Sequence, residues 1–348
     1  MKRLILLLVL VLAACQASET SPVLYTVEDA LTAIALTNES STPLTSTVVP
    51  IPPSATSPVS SDYEWYTIEF LRSRTYGSGN IEVTEIVEET DAFTRYFIRY
   101  PSDGLNIHGF ANVPKGDGPF PVIVAIHGFV DPATYETLDY TTAALDIITQ
   151  RGYIVIHPDL RNYPPSDRGD NLFRVGMAVV VLNLIALVKA TSGPSELFAT
   201  AAPDSIGLWG HSMGGSIALR VLTVSVDINA ATIFASLSGD ELKNAGLLSR
   251  VSSDPALQTE LATALAIVER ISPMYYFMYI TAPVQLHHGV VDQTVPIAWA
   301  EETCHAMTAA GVQTECIYYP TEDHMFRSRV ADQVSDAMFS FYEAHLPR

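Results

Sequence analysis

The sequence predicts an α/β fold, with a mostly parallel central sheet, helices on both faces and a short cap insertion. Three observations lead there. From Pro121 onward, strand-like and helix-like stretches alternate. The run Val122 to Ile126 is continuously apolar, as a strand covered on both faces must be. A third strand-like run, Ser205 to Trp209, passes straight into a helix-like one through Gly210-His211-Ser212-Met213-Gly214. The chain has 348 residues, 48% of them hydrophobic, enough for one large domain of this class or two small ones.

The amino terminus reads as a leader and a tether. Lys2-Arg3 form a positive n-region, and Leu4 to Leu12 form an apolar run too short to span a bilayer. Leu12-Ala13-Ala14-Cys15 follows and resembles a bacterial lipobox. That resemblance implies a signal peptide at 1–14, diacylglycerol on the Cys15 sulfur and a lipid-anchored, extracytoplasmic protein of the cell envelope. The alternative is an ordinary signal peptide with an incidental Cys. Residues 15–62 are rich in Ser, Thr and Pro and read as the lipidated tether, with a short helix over Thr26 to Leu36. The formal charge of −19 argues against nucleic acid and against electrostatic docking on anionic lipid.

Residues 63–348 form the folded domain. Ile81 to Val87 alternates as a half-buried strand does; Phe93 to Tyr100 and Leu105 to Val113 are β-rich. With turn residues between them, these runs make 63–112 an antiparallel entry into the sheet. Then come strand Val122–Ile126, helix Thr142–Arg151 ended by Gly152, strand Tyr153–Ile156 and a long apolar helix Asn171–Ala190. Arg174, Asn183 and Lys189 break that last helix up too closely for a membrane span. Next are strand Ser205–Trp209, helix Gly214–Thr223, strands Ala230–Leu237, Val284–His287 and Glu315–Tyr319, and a closing helix Val330–His345. Residues 240–279 are too long for a simple crossover. Asp254-Pro255 opens a helix there, and the aromatic group Tyr275, Tyr276, Phe277, Tyr279 follows. This cap-like insertion is in a position to lie over the active-site face.

Two of the three cysteines remain after Cys15: Cys304 in a predicted helix and Cys316 in the next strand. In an oxidising compartment an even pair reads as a disulfide stapling helix to sheet, with two buried thiols as the alternative. Two Cys without further ligands do not make a closed metal site, and the sequence implies no cofactor.

The chemistry centres on Ser212. A sharp strand-to-helix turn holds a Ser hydroxyl at a helix N-terminus, and neighbouring glycines remove the Cβ atoms that would clash. A Ser hydroxyl needs a base. His324, just after the strand ending at Tyr319, is well placed; His305 and His345, on helices, are not. Asp292, in the loop after Val284–His287, can orient His324 and stabilise its imidazolium. The oxyanion needs two donors: the Met213 amide beside the nucleophile, and the Phe129 amide in His127-Gly128-Phe129 after the first parallel strand. His127 itself reads as a brace for that turn.

In this order the segments resemble the α/β-hydrolase superfamily. Residues 95–348 are similar to the catalytic domain of the prolyl-oligopeptidase family and to dienelactone-hydrolase-like esterases. The stretches that carry the likeness are Ser102 to Gly109, Gly118 to Val122, His127-Gly128, Gly210-His211-Ser212-Met213-Gly214-Gly215 and His288-Gly289-Val290-Val291-Asp292. The resemblance implies the chain order nucleophile, acid, base. It also leaves Asp240, after the preceding strand, as an alternative acid, and Tyr135 or Tyr140 as a further oxyanion donor. The sequence departs from the family in two places. There is no room for a propeller, and Leu160-Arg161-Asn162-Tyr163 to Ser166 stands where Arg-Gly-Tyr-Gly is common. Both departures bear on peptide specificity. The expected activity is therefore hydrolysis of small-molecule carboxylesters or short peptide bonds through an acyl-enzyme. The competing reading is a non-catalytic cell-surface binding lipoprotein on the same fold.

Overall fold

In the computed structural model, residues 61–191, 193–251, 255–326 and 331–348 are described. The leader, Cys15 and nearly all of the tether lie outside them. The sheet has nine strands: β1 (Glu82–Glu89), β2 (Phe93–Ser102), β3 (Leu105–Pro114), β4 (Phe120–Ile126), β5 (Ile154–Pro158), β6 (Ala201–His211), β7 (Ala230–Phe234), β8 (Val284–Gly289) and β9 (Thr314–Tyr319). Their spatial order is β1-β2-β3-β5-β4-β6-β7-β8-β9. The first three pair antiparallel, β3 meets β5 antiparallel, and every pair from β5 to β9 is parallel. The chain leaves β4 to one side for β5 and returns to the other side for β6. That reversal of winding opens a crevice at the carboxyl ends of β4 and β6, where open α/β sheets bind ligands.

Nine helices are described. Helix α1 (Ile68–Ser73) precedes β1, and α2 (Thr142–Gln150), α3 (Val175–Lys189), α4 (Ser195–Phe198) and α5 (Met213–Val224) follow in the first half of the domain. The insertion contributes α6 (Glu241–Val251) and α7 (Pro255–Ile271), and α8 (Ile297–Ala309) and α9 (Ala331–His345) complete the set. The period of two along β4 sorts the layers. Val122, Val124 and Ile126 face the cluster built with α3, α5 and α8, whereas Ile123 and Ala125 face α2 and α9. The segment Leu172–Lys189, long and apolar enough to cross a membrane by composition, is instead mostly buried, and its helix α3 packs in the first of these layers. Its Asn183 donates to Ser102 Oγ at 2.9 Å and accepts from the Gly77 amide at 2.9 Å. Cys304 on α8 and Cys316 on β9 are joined in a disulfide, so that helix is stapled to the sheet edge.

Three features differ from the sequence reading. The segment from 61, assigned to tether and then strand, is a 3-10 turn (Ser61–Tyr66) followed by α1, whose N-cap Thr67 accepts from the Phe70 amide. Six residues are too few to show a helical period, so pattern alone could not reveal α1. The helix expected over Asn171–Ala190 breaks at its start: Phe173 and Arg174 take φ of 54° and 58° before α3 begins. The insertion's buried anchor, which the sequence did not locate, lies on α5 and on the entry to α3.

That anchor explains the break. Arg220 of α5, wholly buried, donates to Glu241 Oε1 at 2.6 Å and to the carbonyls of Phe173 and Ile271. Arg174 donates to Glu241 Oε2 at 2.6 Å and to Glu260 Oε2 at 2.9 Å. Glu260 also accepts from the Phe173 amide at 2.6 Å. Two cations and two anions thus share one dry site, each meeting more than one partner, and the backbone at 173–174 bends to reach it. Burial alone would raise the Glu241 carboxyl, but the two guanidinium groups outweigh it and hold the carboxyl below its ordinary range. Replacing Glu241 by Gln strands two buried guanidinium charges with Glu260 as their one remaining counter-ion. A loss of about 3–5 kcal/mol in urea unfolding is expected, and a loss under about 1 kcal/mol would show that the network is not a stabilising anchor.

Candidate active site

Strand β6 ends at His211, and α5 begins at Met213. Ser212 between them has φ 55° and ψ −118°, a strained conformation for a residue with a side chain. Two close approaches require glycine. A Cβ on Gly214 would sit 2.0 Å from the Ile126 carbonyl oxygen, and one on Gly210 would sit 2.7 Å from that of Gly214. The Ser212 amide donates to Phe234 O at 2.9 Å, and its carbonyl accepts from the Leu237 amide at 3.2 Å, so β7 holds the turn from the side.

His324 Nε2 lies 3.0 Å from Ser212 Oγ, and its Nδ1 lies 2.8 Å from Asp292 Oδ2. Nδ1 donates to the carboxylate, which leaves Nε2 free to accept the Ser212 hydroxyl proton. Asp292 Oδ1 accepts from the amides of Thr294 at 2.7 Å and Val295 at 2.9 Å. Burial pushes the Asp292 carboxyl up, but the His324 contact and these two amides hold it below its ordinary value. The two loops meet because Gly289, ending β8, has no side chain; a Cβ there would stand 2.2 Å from Glu322 O. The Val291 amide donates to that same carbonyl at 3.2 Å.

His211 couples the elbow to His324. Tyr140 donates its hydroxyl proton to His211 Nδ1 at 2.5 Å, and His211 Nε2 donates to the His324 carbonyl at 2.8 Å. Sequence reasoning singled out neither bond; the signal was the His inside Gly-His-Ser-Met-Gly. It had kept both Tyr135 and Tyr140 open, and the structure separates them. Tyr135 turns away and donates to Asp159 at 2.6 Å. Asp240 bonds the Leu242 amide at the start of α6 and makes no hydrogen bond to His324 among the described residues. His127 is fully buried, donates Nδ1–H to the Gly128 carbonyl at 2.7 Å and packs against His157, Tyr135 and Tyr163. Gly128 backs onto Ser212: a Cβ there would be 3.1 Å from Ser212 Cβ. Phe129, next in the chain, leaves its ring half-exposed. Among the described residues no group of three or more His, Cys, Asp or Glu could hold a metal ion.

The sequence profile of the dienelactone hydrolase family matches residues 107–344. The chain belongs to the dienelactone hydrolase family. It is an α/β hydrolase, and the solved structures it resembles share that fold. The acylaminoacyl peptidase of Pyrococcus horikoshii is 20% identical with a TM-score of 0.58; the match covers 74% of this chain and 42% of that one. Acetyl xylan esterase 1 from Thermoanaerobacterium is 17% identical with a TM-score of 0.59, covering 82% and 94%. A putative dienelactone hydrolase from Klebsiella pneumoniae is 17% identical with a TM-score of 0.52, covering 73% and 100%. The chain thus spans less than half the length of the peptidase. No curated protein sequence matches it.

The loop that follows β4 in this hydrolase is pinned by a buried carboxyl. Asp159 accepts from Tyr135 at 2.6 Å and from Thr137 at 2.8 Å, while its own backbone carbonyl accepts from Ser166. Burial raises its pKa to about 7, against the pull of those two hydroxyls. Between its ordinary value of 3.8 and about 7, the unfolded chain has lost this proton and the folded chain has kept it. Stability therefore falls as pH rises through that window, by at most about 1.4 kcal/mol per pH unit from this group, and levels off above it. Asp159→Asn cannot ionise. Relative to wild type, its urea-derived stability should improve from pH 4 to pH 7 and then run parallel, whereas curves parallel throughout would show that the group titrates normally.

Proposed function

We propose that this hydrolase is a serine carboxylesterase working through an acyl-enzyme, with Ser212 as nucleophile, His324 as base and Asp292 as the acid that orients it. One observation carries the reading: the continuous relay from Asp292 Oδ2 through the His324 ring to Ser212 Oγ, with spacings of 2.8 and 3.0 Å, ending on a strained elbow. Ser212 Oγ attacks the ester carbonyl carbon as its proton passes to His324 Nε2. The Met213 and Phe129 amides receive the negative charge that develops on the carbonyl oxygen. Collapse breaks the bond to the alkoxide, which takes the proton from His324 and departs as an alcohol. Water then gives a proton to His324, attacks the acyl carbon and releases the acid and the serine hydroxyl.

Ester rather than peptide hydrolysis is favoured by how the solved neighbours match. The chain spans 94% and 97% of two acetyl xylan esterases, but 42% of the P. horikoshii acylaminoacyl peptidase and 40% of a mycobacterial puromycin-hydrolyzing peptidase. Export with a lipid anchor on Cys15 belongs to the same reading, and the Cys304–Cys316 disulfide fits the oxidising compartment it would reach.

Ser212→Ala and His324→Ala should each abolish turnover of p-nitrophenyl esters and labelling by a fluorophosphonate probe. The double variant should be little worse than either single one, since the residues act as a unit. Asp292→Asn should keep the urea midpoint near wild type yet lose activity by about ten thousand-fold, the size seen when a triad acid is neutralised in a serine protease. Full turnover by Ser212→Ala would end the reading; a loss in Asp240→Asn with Asp292→Asn intact would move the acid alone. For the anchor, Cys15→Ser should leave the membrane fraction or remain unprocessed. An unchanged membrane fraction at the normal mature mass would exclude lipidation at that residue.

A further inference from the structure

Strand β6 leads into Ser212 and β9 leads to His324, with β7 and β8 between them. At the usual strand spacing that separation is about 14 Å, so no ladder sets the distance from Ser212 to His324. The His324 loop is held to the Asp292 loop at Tyr319 and Glu322, whose carbonyls accept from the amides of Val290 and Val291. Among the described residues, the backbone of His324 itself makes one hydrogen bond, and it comes from His211 Nε2 at 2.8 Å. His211 thus joins two ends. Its backbone runs straight into the strained turn at Ser212, and its side chain holds the backbone of His324.

The ring can do this in one form. A carbonyl only accepts, so Nε2 carries the ring proton, and Nδ1 is left to accept from the Tyr140 hydroxyl at 2.5 Å. The ring must also be uncharged. Its centroid lies 4.9 Å from that of His324, and a positive charge there would oppose protonation of His324. Burial first, and the neighbouring His324 next, push the pKa of His211 down to about 4.

We propose that His211 is a positioning residue for the hydrolytic reaction: through the His324 carbonyl it sets the distance from His324 Nε2 to Ser212 Oγ, and Tyr140 fixes the ring that does so. The proposal rests on the serine-esterase reading above and adds two residues that act on His324 through a backbone atom. Two rival roles predict different results. If His211 only fills space beside Trp209, whose ring centroid is 6.5 Å away, a Phe serves as well as a His. If Tyr140 is an oxyanion donor, its hydroxyl counts whatever stands at position 211.

The test measures kcat and KM on p-nitrophenyl butyrate, together with the rate of labelling by a fluorophosphonate probe. His211→Phe keeps a flat ring but offers no donor to the His324 carbonyl. Its kcat and labelling rate should fall about 30- to 100-fold, the scale of a misplaced reacting group, with KM within about twofold of wild type. His211→Gln returns an amide N–H near the place of Nε2 and should come within about fivefold of wild type. Where His211→Phe does not fold, His211→Asn takes its place: its shorter amide does not reach the His324 carbonyl, and the same loss is expected. Tyr140→Phe should lose about threefold to tenfold, the worth of one hydrogen bond, and lose nothing further when combined with His211→Phe or His211→Asn.

A His211→Phe enzyme as active as wild type, or more active than His211→Gln, overturns the proposal in favour of packing. So do His211→Asn and His211→Gln with equal activity. A rise in KM with kcat unchanged places His211 in substrate binding and overturns it as well. An equal loss from Tyr140→Phe in every background assigns that hydroxyl to the oxyanion and overturns the pairing. A wild type that the probe does not label ends the serine reading and the proposal with it. A labelled wild type whose rate none of these variants changes overturns the proposal alone.

Discussion

At Ser212 the chain turns from β6 into α5 with φ 55°, and much of the surrounding structure is arranged to hold it there. Strain of this kind costs about 1–3 kcal/mol and persists only where neighbours over-determine it. Here they do so on three sides. Behind the turn, Gly214 presses on the Ile126 carbonyl, which fixes α5 against β4. At the flank, the amide and carbonyl of Ser212 are bonded to Phe234 and Leu237. In front, the ring of His211 links Tyr140 to the backbone of His324. A one-residue slip anywhere in β6 would turn His211 to the opposite face of the sheet and break the third of these supports.

The far end of α5 is held by a different kind of contact. Arg220 and Glu241 are buried as a charged pair, with Arg174 and Glu260 completing a neutral foursome. Such groups stabilise little against an apolar core of equal shape, because removing each charge from water costs several kcal/mol. Their effect is specificity: each guanidinium meets a particular carboxylate, and a displaced insertion would strand charges in a dry site. The insertion thereby clamps α5 from its distal end. The same segment meets the chain entry, where Tyr276 donates to Glu69 of α1 at 2.6 Å.

The parallel half of the sheet was legible because its central strand β4 is apolar on both faces and strand-like and helix-like stretches alternate after it, with turn residues between them. The site was legible in part for the same reason: Ser212, Asp292 and His324 follow β6, β8 and β9, so their order along the chain is also their order along one sheet edge. What stayed hidden depends on partners far apart in sequence. Nothing local marks Arg220 or Glu260 as buried, and the positive φ at Phe173 and Arg174 follows from the ions around them, not from their own propensities. Tyr135 and Tyr140 sit in one loop with the same side chain. Only the third dimension sends one to Asp159 and the other to His211. One helix of the insertion was readable from Asp254-Pro255, but its docking face was not, since several faces of a partly apolar helix can pack against a neighbour.

Burial also sorts the histidines of the domain. His127 and His211 are pushed down to about 4 and His287 to about 3, in each case by loss of water, and His157 falls well below its ordinary value for the same reason. These rings are uncharged at neutral pH and act as fixed hydrogen-bonding plates. His288 makes the contrast sharpest. Its Nε2 stands 3.5 Å from the very carboxylate oxygen that His324 uses, yet its proton is given to the Val295 carbonyl at 3.0 Å. Burial lowers its pKa too. With His288 so engaged, the negative charge of Asp292 has one imidazole to orient, and it is the ring that reaches Ser212 Oγ.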